Sequence, residues 1–158
     1  MTGPLTGAVA LPDGTPVRGR GRREPFPAGP LPEFGLYLGH PPGRRRLLPR
    51  RRAEWRPDWP AAWLDWPDFR TPRDPAAAAA GIVEAYERAR AGERVEVACT
   101  GGTGRTGTVI ACMAVLAGHP GAEAVAWARA HYRPRAVETP WQRRWVRAFA
   151  ERVARRPG

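Results

Sequence analysis

Residues 94–116 read Arg94-Val95-Glu96-Val97-Ala98-Cys99-Thr100-Gly101-Gly102-Thr103-Gly104-Arg105-Thr106-Gly107-Thr108-Val109-Ile110-Ala111-Cys112-Met113-Ala114-Val115-Leu116. Arg94–Ala98 is a short extended segment, and Val109–Leu116 is an apolar run of helical character. Glycine and threonine fill most of the loop between them. The order strand, glycine loop, helix is how a chain builds a phosphate cradle. N–H groups at the start of a helix lack internal partners, and the helix dipole favours negative charge there. Glycines let successive N–H groups converge on one oxyanion. Cys99 opens this loop, where the same field biases a thiol towards thiolate. Arg105 follows six positions later. The pattern sets a nucleophile opposite a bound phosphate.

The spacing of cysteine, five residues, arginine and threonine resembles the signature loop of the cysteine-dependent protein tyrosine phosphatases. Its ending, Gly102-Thr103-Gly104-Arg105-Thr106-Gly107, is similar to the dual-specificity branch in particular. The resemblance implies that Cys99 attacks phosphorus to form a cysteinyl-phosphate. It implies that Arg105 holds two phosphate oxygens in a planar fork, with the N–H groups of Thr100, Gly101, Gly102, Thr103 and Gly104 as the cradle. Thr106 would donate a hydrogen bond to the sulfur and ease its departure. One departure stands beside the nucleophile: Ala98 occupies the place where these enzymes usually carry histidine. Other readings of the loop are a nucleotide-binding P-loop, a sulfurtransferase of the rhodanese type and a purely structural glycine turn. The first fails at two fixed positions, Cys99 and Arg105, and the chain has no lysine.

A second stretch, Trp63-Leu64-Asp65-Trp66-Pro67-Asp68-Phe69-Arg70-Thr71-Pro72, supplies what a thiolate and an arginine lack, a proton for the leaving group. Trp66-Pro67-Asp68-Phe69 resembles the mobile acid loop of the tyrosine phosphatases, which makes Asp68 the acid and then the base. Asp65 and Asp74 are the alternatives. Asp65 would point from a strand, and Asp74 before Pro75 has the pattern of a helix N-cap. Trp55, Trp59, Trp63 and Trp66 recur at helical spacing and could pack a core, but Pro57, Pro60 and Pro67 oppose one continuous helix through them.

Near the C-terminus, Glu138-Thr139-Pro140-Trp141-Gln142 resembles a phosphatase segment with two glutamines four apart, the first of which positions water for hydrolysis. Here the two places are held by Glu138 and Gln142, so either can orient the water. The local alternative is a cap, with Thr139 starting a helix at Pro140.

The chain has 158 residues and a net charge of +11, and all 26 of its basic residues are arginine. Serine and asparagine are absent as well, a usage that looks like coding bias in a GC-rich genome. Arg44–Arg46 and Arg50–Arg52 form a dense basic patch, so a nucleic-acid partner is physically reasonable. It is not favoured, because no recognised binding motif accompanies the charge. No apolar stretch approaches the roughly 20 residues needed to cross a bilayer. The start, Met1-Thr2-Gly3-Pro4, lacks the order of a secretory signal. Two cysteines suit a reducing, cytoplasmic setting, with Cys112 a small core residue.

The expectation is one α/β domain over residues 1–158, with a central, mostly parallel sheet of four to five strands and helices on both faces. Residues 1–33 form a hairpin turning at Asp13-Gly14 and a loop, and residues 34–158 the core. Strands are expected at 34–38, 62–66 and 94–98, the last one central, and helices at 75–91, 104–117, 121–132 and 139–155. Glu96 in a central strand has no explanation at this level. The function expected is phosphomonoester hydrolysis without metal or cofactor, with a phosphotyrosine-containing protein as the leading substrate. A phosphorylated nucleotide, RNA 5′-end or phosphoinositide is the alternative substrate, and a weak phosphate-binding module the non-enzymatic one.

Overall fold

The computed structural model describes residues 3–41 and 55–156, so the basic run within 42–54 lies outside the described residues. Five strands form one sheet: β1 (Val9–Ala10), β2 (Pro16–Gly21), β3 (Phe34–Gly39), β4 (Ala61–Asp65) and β5 (Val95–Cys99). Their spatial order is β1-β2-β5-β3-β4, and only the β1–β2 hairpin is antiparallel. The N-terminal hairpin therefore supplies a strand to the sheet itself. β5 is central, as expected, but it runs one residue further and ends on Cys99. The Cys99 carbonyl accepts from Arg22 N–H at 2.8 Å, which prolongs the pairing with β2 to the last strand residue.

Residue parity sorts the sheet into two unlike faces. Phe34, Leu36, Leu38, Val95, Val97 and Val17 join the core beneath the helices α1 (Pro75–Arg90) and α2 (Gly104–Leu116). On the same side α3 (Ala124–His131) and α4 (Pro140–Ala154) pack against α2. The expectation of helices on both faces is not met among the described residues. The other face carries Arg18, Arg20, Tyr37 and Glu96, closed over by Phe26, Trp55, Trp59 and Trp63. This layer is where most of the tryptophan stripe resides. Trp66 alone turns inward, fully buried against Trp145 of α4 at 5.5 Å between rings.

The layer also explains Glu96. Its carboxylate accepts from Arg18 Nη2 (2.8 Å), from Arg20 Nε and Nη2 (2.8 and 3.0 Å) and from the Tyr37 hydroxyl (2.7 Å). Burial by itself would push this carboxyl up. The Arg20 bonds, with those from Tyr37 and Arg18, outweigh burial and hold it below the usual glutamate range.

Local signals set the helix starts. Asp74 accepts from Ala77 N–H at 3.0 Å with Pro75 at the first helical position, so it is a cap, as its sequence context predicts. The helix expected over 121–132 is present, with its first turn tightened. A 3₁₀ turn at Gly121–Glu123 precedes α3, and a Cβ at position 121 would come within 2.5 Å of Ala150 Cβ on α4. Cys112 is fully buried, and burial pushes its thiol up, consistent with a core role.

Candidate active site

The loop from Cys99 to Arg105 sits at the C-terminal end of the central strand and feeds directly into α2. Gly102 has φ +81, and a Cβ on it would meet Gly21 N at 2.4 Å, so only glycine lets the loop lie against the end of β2. In this conformation Gly102 N–H donates to Cys99 Sγ at 3.1 Å. Thr106 does not make the expected bond to sulfur. Its Oγ1 is buried and has no hydrogen-bond partner. The donor to the sulfur is the loop amide of Gly102.

Arg105 is 4% exposed and emerges from the first turn of α2. Its Nη1 donates to Trp66 O at 2.9 Å and reaches Leu38 O at 3.4 Å. Nε is buried without a partner, and Nη2 lies 3.4 Å from Asp68 Oδ1. One corner of the guanidinium is thus tied to the fold, and the Nε–Nη2 edge is the one left for an anion. A cleft of about 340 Å³ opens beside it, lined by Arg22, Arg23, His40, Asp68, Thr100 and Arg105 among others. A separate hollow of about 260 Å³, lined by Leu5, Pro16 and Val95 among others, holds none of the candidate groups.

The segment bearing Asp68 is held from three sides. Trp66 Nε1 donates to Arg70 O at 2.7 Å, Gln142 Nε2 donates to the same oxygen at 3.1 Å, and Trp141 Nε1 donates to Phe69 O. Phe69 has φ +63, the left-handed region that a bulky residue enters only under constraint. Asp68 itself is half exposed, with its carboxylate turned to Arg105. Asp65 lies away from this contact and pairs with Arg73 at 3.3 Å.

Gln142 is fully buried and completes a capping box. Thr139 Oγ1 accepts from Gln142 N–H at 3.1 Å, and Gln142 Oε1 accepts from the N–H groups of Glu138 and Thr139. Both of its polar atoms are engaged structurally. Glu138 instead lies against the loop: a Cβ on Gly104 would come within 2.1 Å of its Oε1. Of the two, Glu138 is the one beside the cradle.

Four further residues build this site, and the sequence patterns above do not single them out. The Tyr132 hydroxyl donates to Gly102 O, and Arg133 Nη1 donates to Gly101 O at 3.1 Å and Thr103 Oγ1 at 3.3 Å. These bonds tie down loop carbonyls of Gly101 and Gly102. Arg133 Nη2 is held by Glu24 at 3.0 Å, and Glu24 also accepts from Gly21 N–H at 3.0 Å. Burial would raise the Glu24 carboxyl, but the Gly21 N–H and Arg133 together hold it low. Burial pushes the Tyr132 phenol up, so it stays a neutral donor. The fourth residue is Arg22, at the cleft wall. Burial lowers its guanidinium, the neighbouring charge of Arg105 lowers it further, and Cys99 acts the other way.

A family described as the PTP-SAK, Swiss Army Knife protein, DSP-PTPase phosphatase domain matches residues 66–154, from the acid segment through α4. The chain belongs to this phosphatase family. Among solved structures, Tk-PTP in its active form is 26% identical with a TM-score of 0.61, over 77% of this chain and 80% of that one. Human DUSP28 has a TM-score of 0.59 at 17% identity, over 93% of this chain and 97% of its own, a likeness of fold. PTPMT1 in complex with PI(5)P shares the fold with a TM-score of 0.53 at 16% identity, over 76% and 78%. No curated protein shares significant sequence similarity with the chain. Among the described residues no helix is long and apolar enough to cross a membrane.

Proposed function

We propose that this phosphatase-family chain is a metal-independent phosphomonoester hydrolase working by double displacement at Cys99. In the first step the Cys99 thiolate attacks phosphorus, an S–P bond forms, and the ester P–O bond breaks as Asp68 protonates the departing oxygen. In the second step water attacks phosphorus, Asp68 takes its proton, and the S–P bond breaks to return the thiolate and release phosphate. Arg105 and the loop N–H groups carry the charge on the equatorial oxygens. Glu138, beside Gly104, is the residue placed to orient the water, with Gln142 holding the segment. The Gly102 N–H supports the thiolate where the family usually has a histidine at position 98. The Thr106 hydroxyl, buried and without a partner, remains free to donate to the sulfur as it departs.

The supporting observation is the Asp68–Arg105 contact of 3.4 Å, which brings the acid segment to the loop that Cys99 begins. A phosphorylated protein is the substrate implied by the Trp-Pro-Asp segment, and a reducing, cytoplasmic setting suits the thiolate. A small molecule with more than one phosphate is the second reading, favoured by the surplus of arginine in the cleft. The deciding experiment is hydrolysis of an aryl phosphate with chelator present. Wild type turns over, Cys99→Ser shows no turnover above background, and Asp68→Ala loses about 10²–10⁴-fold in kcat. Equal rates in all three proteins, or a requirement for added metal, overturn the proposal.

A further inference from the structure

Arg18, Arg20 and Arg22 alternate along one face of β2 and its extension. The first two share the Glu96 carboxylate. Arg22 has no carboxylate partner among the described residues, and its Nε is buried without a hydrogen bond. Its guanidinium stacks over the Trp63 ring at 5.3 Å, which fixes its direction without touching its charge. A point that a Cβ on Gly39 would occupy lies 3.1 Å from Arg22 Nη2 and 3.5 Å from Arg105 Nη1. Arg22 Nη2 therefore approaches the Nη1 corner of Arg105 that is tied to Trp66 O, and Gly39 and both arginines line the same cleft. Like charges brought together under partial burial are unfavourable unless an anion joins them. Arg105 already accounts for one phosphate through its Nε–Nη2 edge.

We propose that Arg22 is a second anion-binding position beside the cradle, and that the substrate is a small phosphomonoester carrying another phosphate on a neighbouring carbon. This rests on the hydrolase reading above and takes up its second substrate reading in place of the phosphorylated protein. Phosphotyrosine fits less well, because its nearest further anion lies back along the peptide, a ring length from the phosphorus, whereas Arg22 stands next to Arg105. The cleft of about 340 Å³ is of the size that takes a small polar molecule. Arg23 and His40 at its wall add donors at the same end.

The test compares kcat/KM for a cyclitol monophosphate, the vicinal bisphosphate of the same cyclitol and an aryl phosphate, in wild type and Arg22→Gln. A charge-assisted contact made only by the second phosphate gives wild type a preference of about 10–100-fold for the bisphosphate. Arg22→Gln loses that preference, falling further on the bisphosphate than on either of the others. No preference in wild type, an equal fall on all three, or a preference confined to doubly phosphorylated peptides overturns the assignment. Should the variant fail to fold, wild type alone decides: inorganic diphosphate inhibits aryl phosphate hydrolysis at least about tenfold more tightly than orthophosphate, or the subsite is absent. Aryl phosphate hydrolysis that survives Cys99→Ser removes the hydrolase reading itself. Hydrolysis that needs Cys99 but ignores the second phosphate removes only the subsite. Presenting the bisphosphate free and as a short-chain lipid headgroup separates the two sources of that chemistry, and a preference for either over its own monophosphate supports it.

Discussion

Two arginine groups on the same strand meet opposite fates. Arg18 and Arg20 are buried, and both donate to one carboxylate, Glu96, which also accepts from the Tyr37 hydroxyl, so the cluster forms part of the scaffold. One turn of the pleat further on, Arg22 joins Arg105 at the cleft, where the one carboxylate among the described lining residues is the half-exposed Asp68. Charge that is balanced inside the protein holds the fold. Charge left unbalanced at the end of the central strand is what an anionic substrate would complete. The difference is made by one residue, Glu96, reaching as far as Arg20 and no further.

The largest expected effect comes from the open side. Arg105→Lys replaces the planar fork with a point charge and lowers kcat/KM on an aryl phosphate by about 10³-fold. The thermal midpoint moves less than it does on breaking the closed side. If activity and stability fall together, the division between the two groups is wrong. On the closed side, Glu96→Gln leaves two buried guanidiniums short of their counter-ion and costs about 3–5 kcal/mol in denaturant unfolding. The pH dependence has a definite sign. Because the folded-state carboxyl of Glu96 lies below its ordinary 4.5, its contribution is present above that value and is lost as pH falls through the folded pKa. Glu96→Gln flattens that acid limb of the stability profile. The smallest effect belongs to the residue that links the two regions. Arg133→Ala frees the Gly101 carbonyl and the Glu24 carboxylate, and it lowers kcat by about tenfold with KM nearly unchanged, from a less rigid cradle. A change in KM alone would make Arg133 a binding group instead of a support for the loop.

Much of the architecture was legible because local rules suffice for it. The strand–loop–helix at 95–116 needs only an extended run, glycines and an apolar helix. Asp74 and Thr139 announce their caps by spacing to Pro75 and Gln142. The helix expected over 121–132 is present, and only its 3₁₀ first turn, packed against α4 at Ala150, carries no local signal. Nor is it a local matter which donor meets the sulfur, since the conformation of the loop brings the Gly102 N–H there. Tyr132, Arg133 and Glu24 left no local signal, because they act on the loop from distant positions. Arg22 did leave one, the alternation of Arg18, Arg20 and Arg22, but general arginine richness conceals it.

Cys99, Arg105 and Asp68 are candidates named from the chain alone, through the resemblance of their two segments to the phosphatase signature and acid loops. Which arginines are structural and which face the cleft was decided only in three dimensions. Parallel pairing of β2 with β5 sets Glu96 among Arg18 and Arg20 and carries Arg22 past it to the loop. Coulomb interactions and hydrogen bonds act through space, over a few ångströms, between residues more than seventy positions apart in the chain.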